Sequence, residues 1–210
     1  MTIIIKICTL SLSENQKILT HEKKVVISLL FNRLYRDWKL RLFECGTHMP
    51  YLEKWPAKIK TGTQFDAPIH HMDLFSTFAA AAGVPTPSDR IIDGVDLLPY
   101  LNGNEVEVPH ETLFWLEGHQ ETVLHRGMKL IRAKQPKKAW LFDLEADPTE
   151  QFNLANEQPE TVQLLNEKLD AHRLAQAQPM WPSLINAPQL IDKHGEQPFE
   201  IGDEYVYWPN

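Results

Sequence analysis

The apolar positions of this chain change rhythm several times, and each change marks an element. Val162, Leu165 and Leu169 stand three and four residues apart. Glu157 and Glu160 lie in or beside the first turn, and His172 and Arg173 in the last. This pattern predicts a helix over Pro159–Ala175 with one apolar stripe and charges that suit the helix dipole. Ahead of it, short apolar runs at 112–116, 121–124, 129–132 and 139–144 are joined by brief polar connections, which predicts an antiparallel meander. The last run is closed by the turn Ala146-Asp147-Pro148. Asp73 is placed to cap a helix with Leu74, Phe78, Ala81 and Ala82 on one face. Gly83 follows at the left-handed position, and Pro85 prevents continuation. Residues 51–55 read as a strand stopped by Pro56, and Asp93-Gly94 as a turn before a short helical turn over 95–101. At 25–35 an apolar run is either a buried strand or an amphipathic helix, which periodicity alone does not separate. Residues 179–210, with five prolines and no period, read as an extended tail draped on the body.

Composition divides the chain near residue 45. All 15 prolines lie at Pro50 or later and all nine glycines at Gly46 or later, so the first 45 residues lack the usual punctuation between elements. That stretch carries eight Lys and Arg against four acids, whereas the remainder carries 13 against 24. The total charge of −7 argues against a nucleic-acid partner, which calls for clustered excess Lys and Arg. No run of about 18 apolar residues provides a membrane span. The apolar N-terminal run lacks a basic flank and a small-x-small cleavage site, so it is not read as a signal peptide, and localisation stays unassigned. Cys8 and Cys45 are too few for a disulfide scaffold or a four-cysteine zinc site.

Candidate chemistry is sparse. Phosphate-binding glycine loops, the nucleophile elbow and the HExxH zinc helix are all absent. His70, His71 and Asp73 suggest a metal cluster, yet adjacent side chains diverge on a helix or strand, so framing of a helix start is the better reading. His48 has no recognisable carboxylate partner and reads as a loop histidine. His110 beside Glu111 is equally uninformative. Asp143, Asp147 and Glu150 lack the alternating oxygens and glycine of a calcium loop, which leaves turn-forming and capping roles.

Several segments, in one order, resemble the C-terminal portion of an arylsulfatase-type sulfatase of the alkaline-phosphatase-like superfamily. Lys39-Leu-Arg-Leu-Phe-Glu-Cys-Gly-Thr-His-Met-Pro50 resembles Lys-Gly-x-x-x-Glu-Gly-Gly-x-Arg-x-Pro. The segment from Tyr51 through Trp55-Pro56 resembles a strand and loop ending in Trp-Pro-Gly-x-Ile. His71-Met-Asp-Leu resembles the helix that begins His-x-Asp-Leu-x-Pro-Thr. Asp93-Gly-Val-Asp-Leu-Leu-Pro99 resembles Asp-Gly-x-x-Leu-x-Pro. His110-Glu-Thr-Leu-Phe-Trp, Met128-Lys-Leu-Ile and the segment from Leu141 to Leu154, with Asp147-Pro148-x-Glu150, resemble the small terminal sheet.

The resemblance implies an α/β fold (α+β as a fragment). Residues 39–105 would form the distal end of the large α/β domain. Residues 106–178 would form the small four-stranded antiparallel sheet with its terminal helix, 179–210 the tail, and 1–38 an unassigned segment. It also implies the parent reaction, hydrolysis of a sulfate ester by a formylglycine nucleophile beside a divalent cation. Lys39 then falls on the position that contacts sulfate, while His48 replaces a family arginine and Cys45 a glycine. The Cys/Ser-x-Pro-x-Arg nucleophile motif is missing, and Asp37 is the one aspartate before Asp66. So no catalytic residue, metal ligand or cofactor is assigned to this chain, calcium being expected only of a complete member. A sulfate ester would be its partner only with the catalytic region supplied. Complete members are often periplasmic or secreted. Two readings follow: a C-terminal part of a sulfatase, inactive alone, or a non-catalytic interaction module retaining the end-domain. In either, the strand at 51–55 needs a neighbour, from residues 1–38 (24–30, for instance) or from self-association.

Overall fold

A computed structural model describes residues 2–3, 35–37, 41–178, 180–181, 186–193 and 198–209. Lys39, Cys8 and the stretch 24–30 lie outside the described residues, as does all but the last residue of the run at 25–35. The chain divides into two compact units. One comprises residues 51–113 with the strand at Thr2–Ile3, and the other comprises 35–37, 41–50 and 114–209.

In the first unit, β1 (Thr2–Ile3) pairs antiparallel with β2 (Glu53–Lys54), Thr2 opposite Lys54 and Ile3 opposite Glu53. Here the expected strand at 51–55 shrinks to two paired residues. The neighbour described for it comes from the first residues of the chain.

The helix α2 (Asp73–Ala81) begins one residue earlier than a capping Asp73 would allow, with Met72 at the cap. Asp73 therefore occupies the first helical position, and its carboxylate accepts from the backbone N–H groups of His70 and Val95 at 2.7 and 3.0 Å. The buried face of α2 is polar: Asp73, Ser76 and Thr77. Ser76 donates to the Gly94 carbonyl at 2.6 Å, and Leu97 N–H donates to Thr77 Oγ1 at 3.0 Å. Loop 94–97 is thus stitched to the helix by hydroxyl groups, which explains why the face expected to be apolar is not the one buried. Gly94 is required by crowding, because a Cβ there would stand 2.2 Å from the Met72 carbonyl oxygen. The following helical turn, α3 (Leu98–Leu101), is shorter than the span 95–101 that its residues suggested.

The second unit is built on a sheet in the order β3 (Thr112–Glu117), β4 (Gln120–His125), β5 (Met128–Lys134) and β6 (Lys137–Asp143). β4–β5 and β5–β6 are antiparallel, with Leu130 opposite both Val123 and Leu141. All four strands fall where the short apolar runs predict them. Successive residues face opposite sides, and both sides are apolar. Val123, Leu130 and Leu141 pack with Leu165 and Leu169 of α4 (Pro159–Ala175), and Val162 closes the edge of that cluster. Ile131, Ala133, Trp140 and Phe142 pack with Phe43, Ile191 and Val206 on the other side. Covered on both faces, these strands show unbroken apolar stretches rather than strict alternation.

Ile191 and Val206 belong to the C-terminal region expected as a formless tail. It holds β7 (Asn186–Leu190) and β8 (Tyr205–Pro209), an antiparallel pair with Gln189 opposite Val206. Two carboxylates lock the layers. Glu121 receives Arg132 and Lys134 from the sheet and Arg173 from the last turn of α4. Glu204 receives Arg36, Lys138 and the Trp140 indole N–H, the last at 3.2 Å.

Candidate functional site

Segment 41–50 enters the second unit through Phe43, which is fully buried and meets Trp140 edge-on with ring centroids 5.6 Å apart. Before it, Arg41 pairs with Asp37 at 2.9 Å and donates to Gln189 Oε1 at 3.1 Å and to the Leu190 carbonyl. Immediately after it comes a single helical turn, α1 (Glu44–Thr47). Gly46 is obligatory in this turn, since a Cβ would lie 2.0 Å from the Arg41 carbonyl oxygen.

The turn delivers Glu44 to a buried charge cluster. Lys129 Nζ donates to Glu44 Oε1 at 2.7 Å and to Thr47 Oγ1 at 3.2 Å, and pairs with Glu150 Oε1 at 2.9 Å. Glu150 Oε2 accepts from the Glu44 backbone N–H at 2.6 Å. Glu150 itself adopts the left-handed backbone region, φ 57°, in the turn after β6. A non-glycine residue held there is a local strain that its surroundings must enforce. The buried ammonium and the Glu44 N–H, gripping its two oxygens, supply that constraint.

Electrostatics separate the two carboxylates. Burial alone would raise Glu44, but the hydrogen bond with His48 and the charge of Lys129 outweigh it and hold the group down at about 2. Burial dominates at Glu150 and pushes it up, with Lys129 only partly compensating. Cys45 is inert by the same logic: burial, then the charges of Asp37 and Glu150, raise its thiol to about 11.

His48 sits at the rim of this cluster, 54% exposed, with Nδ1 2.8 Å from Glu44 Oε2. The carboxylate is ionised and can only accept, so Nδ1 carries the proton and donates. Sequence reading left His48 without a carboxylate partner. The partner stands four residues earlier, a spacing that helical geometry brings together. The Tyr35 ring lies against the imidazole, centroids 4.8 Å apart. Lys39, assigned to the same segment, lies outside the described residues.

A second polar node belongs to the other unit. Asp73, fully buried, accepts His110 Nε2–H at 2.7 Å besides its two backbone donors. His70 and His71 do bring their rings together, 4.1 Å between centroids, because they precede α2 in a turn where neighbouring side chains need not diverge. His70 Nδ1 accepts the Met72 N–H at 3.3 Å. Asp143 and Asp147 accept backbone N–H groups of Glu145, Ala146 and Phe152, roles of turn formation. Sequence reasoning missed Glu44 and Lys129 as site residues and gave Glu150 a turn-forming or capping role, whereas it is buried and paired with Lys129. Their one signal was that each falls inside a segment matched by the resemblance.

Comparisons with known proteins agree with one another. The family described as N-sulphoglucosamine sulphohydrolase, C-terminal, matches residues 35–178. Human steryl-sulfatase is 43% identical over 83 residues, covering 40% of this chain and 14% of that protein. An N-acetylgalactosamine-6-O-sulfatase of Bacteroides thetaiotaomicron is 30% identical over 155 residues, covering 66% of this chain and 30% of that protein. A solved structure from the metabolism of multiple glycosaminoglycans by the same bacterium (BT33336S-sulf) superposes with a TM-score of 0.58 at 26% identity, covering 70% of this chain and 33% of that one. The chain therefore spans a third or less of the length of these relatives.

Proposed function

The chain belongs to the sulfatase family, through its C-terminal domain, and from this premise we propose that it is the part of a sulfate-ester hydrolase that presents one wall of the sulfate site. Segment 39–50 is read as that wall, and 41–50 are its described part. Lys39 contacts the sulfate, and His48 stands in for the family's arginine. Sulfuryl transfer spreads negative charge over the sulfate oxygens, so cations fixed beside them stabilise the transition state. A histidine ring offers a single-point contact in place of the bidentate guanidinium fork, which weakens geometric selection at that position.

One observation carries this reading. Three matched segments far apart in sequence, those of Glu44, Lys129 and Glu150, converge in a single buried cluster directly behind His48.

The described residues do not fit the calcium of a complete sulfatase. Among the described residues no three His, Cys, Asp or Glu side chains gather in a metal-holding group. The buried acids are committed instead: Glu44 and Glu150 to Lys129, Asp73 to His110. The nucleophile motif is absent from the sequence as well. On this reading the chain supplies substrate contacts, and the nucleophile belongs to the catalytic region of a complete sulfatase.

Titration with inorganic sulfate, followed at the His48 ring and Lys39 ammonium resonances, tests the assignment. Millimolar sulfate should shift both, and chloride at equal ionic strength should not. An absence of any sulfate-specific shift would remove the assignment. Turnover of an aryl sulfate by the chain alone, abolished by a chelator, would overturn the second half of the reading.

A further inference from the structure

Lys129 is an anomaly in its sheet. Leu130 faces α4, so Lys129 faces the layer that holds Ile131 and Phe43, and it is only 1% exposed. Lysine is almost never so buried without pairing. A leucine or methionine of similar volume would serve packing as well or better, because desolvating an ion pair offsets much of its attraction. What the ammonium supplies that an apolar side chain cannot is direction.

Its partners show where that direction is spent. The ammonium reaches Glu44 Oε1 and Thr47 Oγ1, at the two ends of α1, and Glu150 takes the Glu44 backbone N–H. The second oxygen of Glu44 then orients His48. From β5, one side chain thus fixes the start, the end and the exposed imidazole of the turn.

We propose that Lys129 is a positioning residue: through Glu44 it sets the orientation and tautomer of His48, so the small C-terminal sheet determines the geometry of the sulfate-facing segment. The functional meaning rests on the reading of 39–50 as the sulfate-contact segment; the mechanical coupling does not.

The test uses the full chain, wild type against Lys129→Met and Lys129→Arg, with amide exchange and the His48 ring resonances as readouts. In the wild type the N–H groups of Gly46, Thr47 and His48 donate to the Phe43 and Glu44 carbonyls at 2.9, 3.1 and 2.8 Å. In Lys129→Met those three amides should exchange at least about tenfold faster, while the β4–β5 ladder and α4 change by less than about threefold. The His48 Nδ1–H resonance should lose its carboxylate-bonded shift, and Lys129→Arg should restore it in part. Loss of protection shared equally by the ladder, or no change anywhere, would overturn the proposal, leaving Lys129 an ordinary core residue. If Lys129→Met fails to fold, Glu44→Gln applies the same test, removing the charge while keeping the volume and the backbone donor. A sulfate titration separates the two readings. A wild type silent to sulfate, with α1 loosened in the variant, would sink the sulfate assignment and keep the coupling. Sulfate shifts and exchange identical in wild type and variant would sink the coupling and keep the assignment.

Discussion

His110 donates its Nε2–H to Asp73 Oδ1 across 2.7 Å, and the carboxylate that receives it is wholly shielded from solvent. Two backbone N–H groups complete its coordination, so one side chain ties the start of α2 to loop 94–97 and to the segment before β3. Removing an acceptor strands its donors, which costs more than the bond contributed. Asp73→Ala should lower stability by about 3–5 kcal/mol. Asp73→Asn, which keeps one acceptor, should cost clearly less. Urea denaturation gives both values, and an alanine variant within about 1 kcal/mol of wild type would contradict the role given to Asp73.

Leu165 is 1% exposed at the centre of the α4–sheet contact, while Leu174 on the same helix is 88% exposed. Leu165→Ala should cost about 2–5 kcal/mol through lost transfer energy and a residual cavity. Leu174→Ala should stay within about 0.5 kcal/mol. Thermal melts of the pair provide an internal control, and equal effects would place the core elsewhere.

Stability should pass through a maximum on the acid side of neutrality, because the two clustered glutamates are shifted in opposite directions. Glu44 is depressed from 4.5 to about 2 in the folded chain. Its contribution is complete above about pH 4.5 and disappears as pH falls toward 2, a loss on the order of 3 kcal/mol. Glu150 is raised, so its ionisation opposes folding, and stability should grow as pH falls through its elevated pKa toward the ordinary carboxylate range. Denaturation midpoints across pH 2–8 would show the rise and then the fall. In Glu150→Gln the rise should flatten while the acid-side loss persists. A profile unchanged by that substitution would contradict the assignment.

Gly46 and Gly62 make opposite demands on an added methyl group. A Cβ at Gly46 would overlap the Arg41 carbonyl, whereas Gly62, at φ +80°, faces open space. Gly46→Ala should cost about 2–3 kcal/mol or more by overpacking, and Gly62→Ala about 1 kcal/mol by backbone strain alone. Similar losses at both would mean that α1 can move away from Arg41.

Much of the architecture was legible because its determinants are local. The four strands and α4 declare themselves in apolar rhythm and turn chemistry, and α4 holds the limits its stripe predicts. The errors have physical causes. At α2 the sequence offers an apolar face, yet hydroxyl bonds to loop 94–97 decide which side is buried, and no periodicity encodes a partner eighteen residues away. The hairpin β7–β8 escaped notice because prolines at Pro188 and Pro209 argue against strands, although a two-stranded ribbon tolerates them at its free edges. The site was least visible. His48 and Lys39 came from resemblance, whereas Glu44 and Lys129, 85 residues apart, meet only after the sheet exists.

Family likeness ends at residue 178, but the wall around Trp140 does not close there. The indole is roofed by Ile191 and Val206, and its N–H is satisfied by Glu204, all beyond that limit. A chain cut at the family boundary would open the largest ring of the core to water and leave Arg36 and Arg41 without their hairpin acceptors. The stretch matched to the family and the stretch that encloses this core thus have different lengths. Homology measures the first, and the enclosure of Trp140 reaches past it.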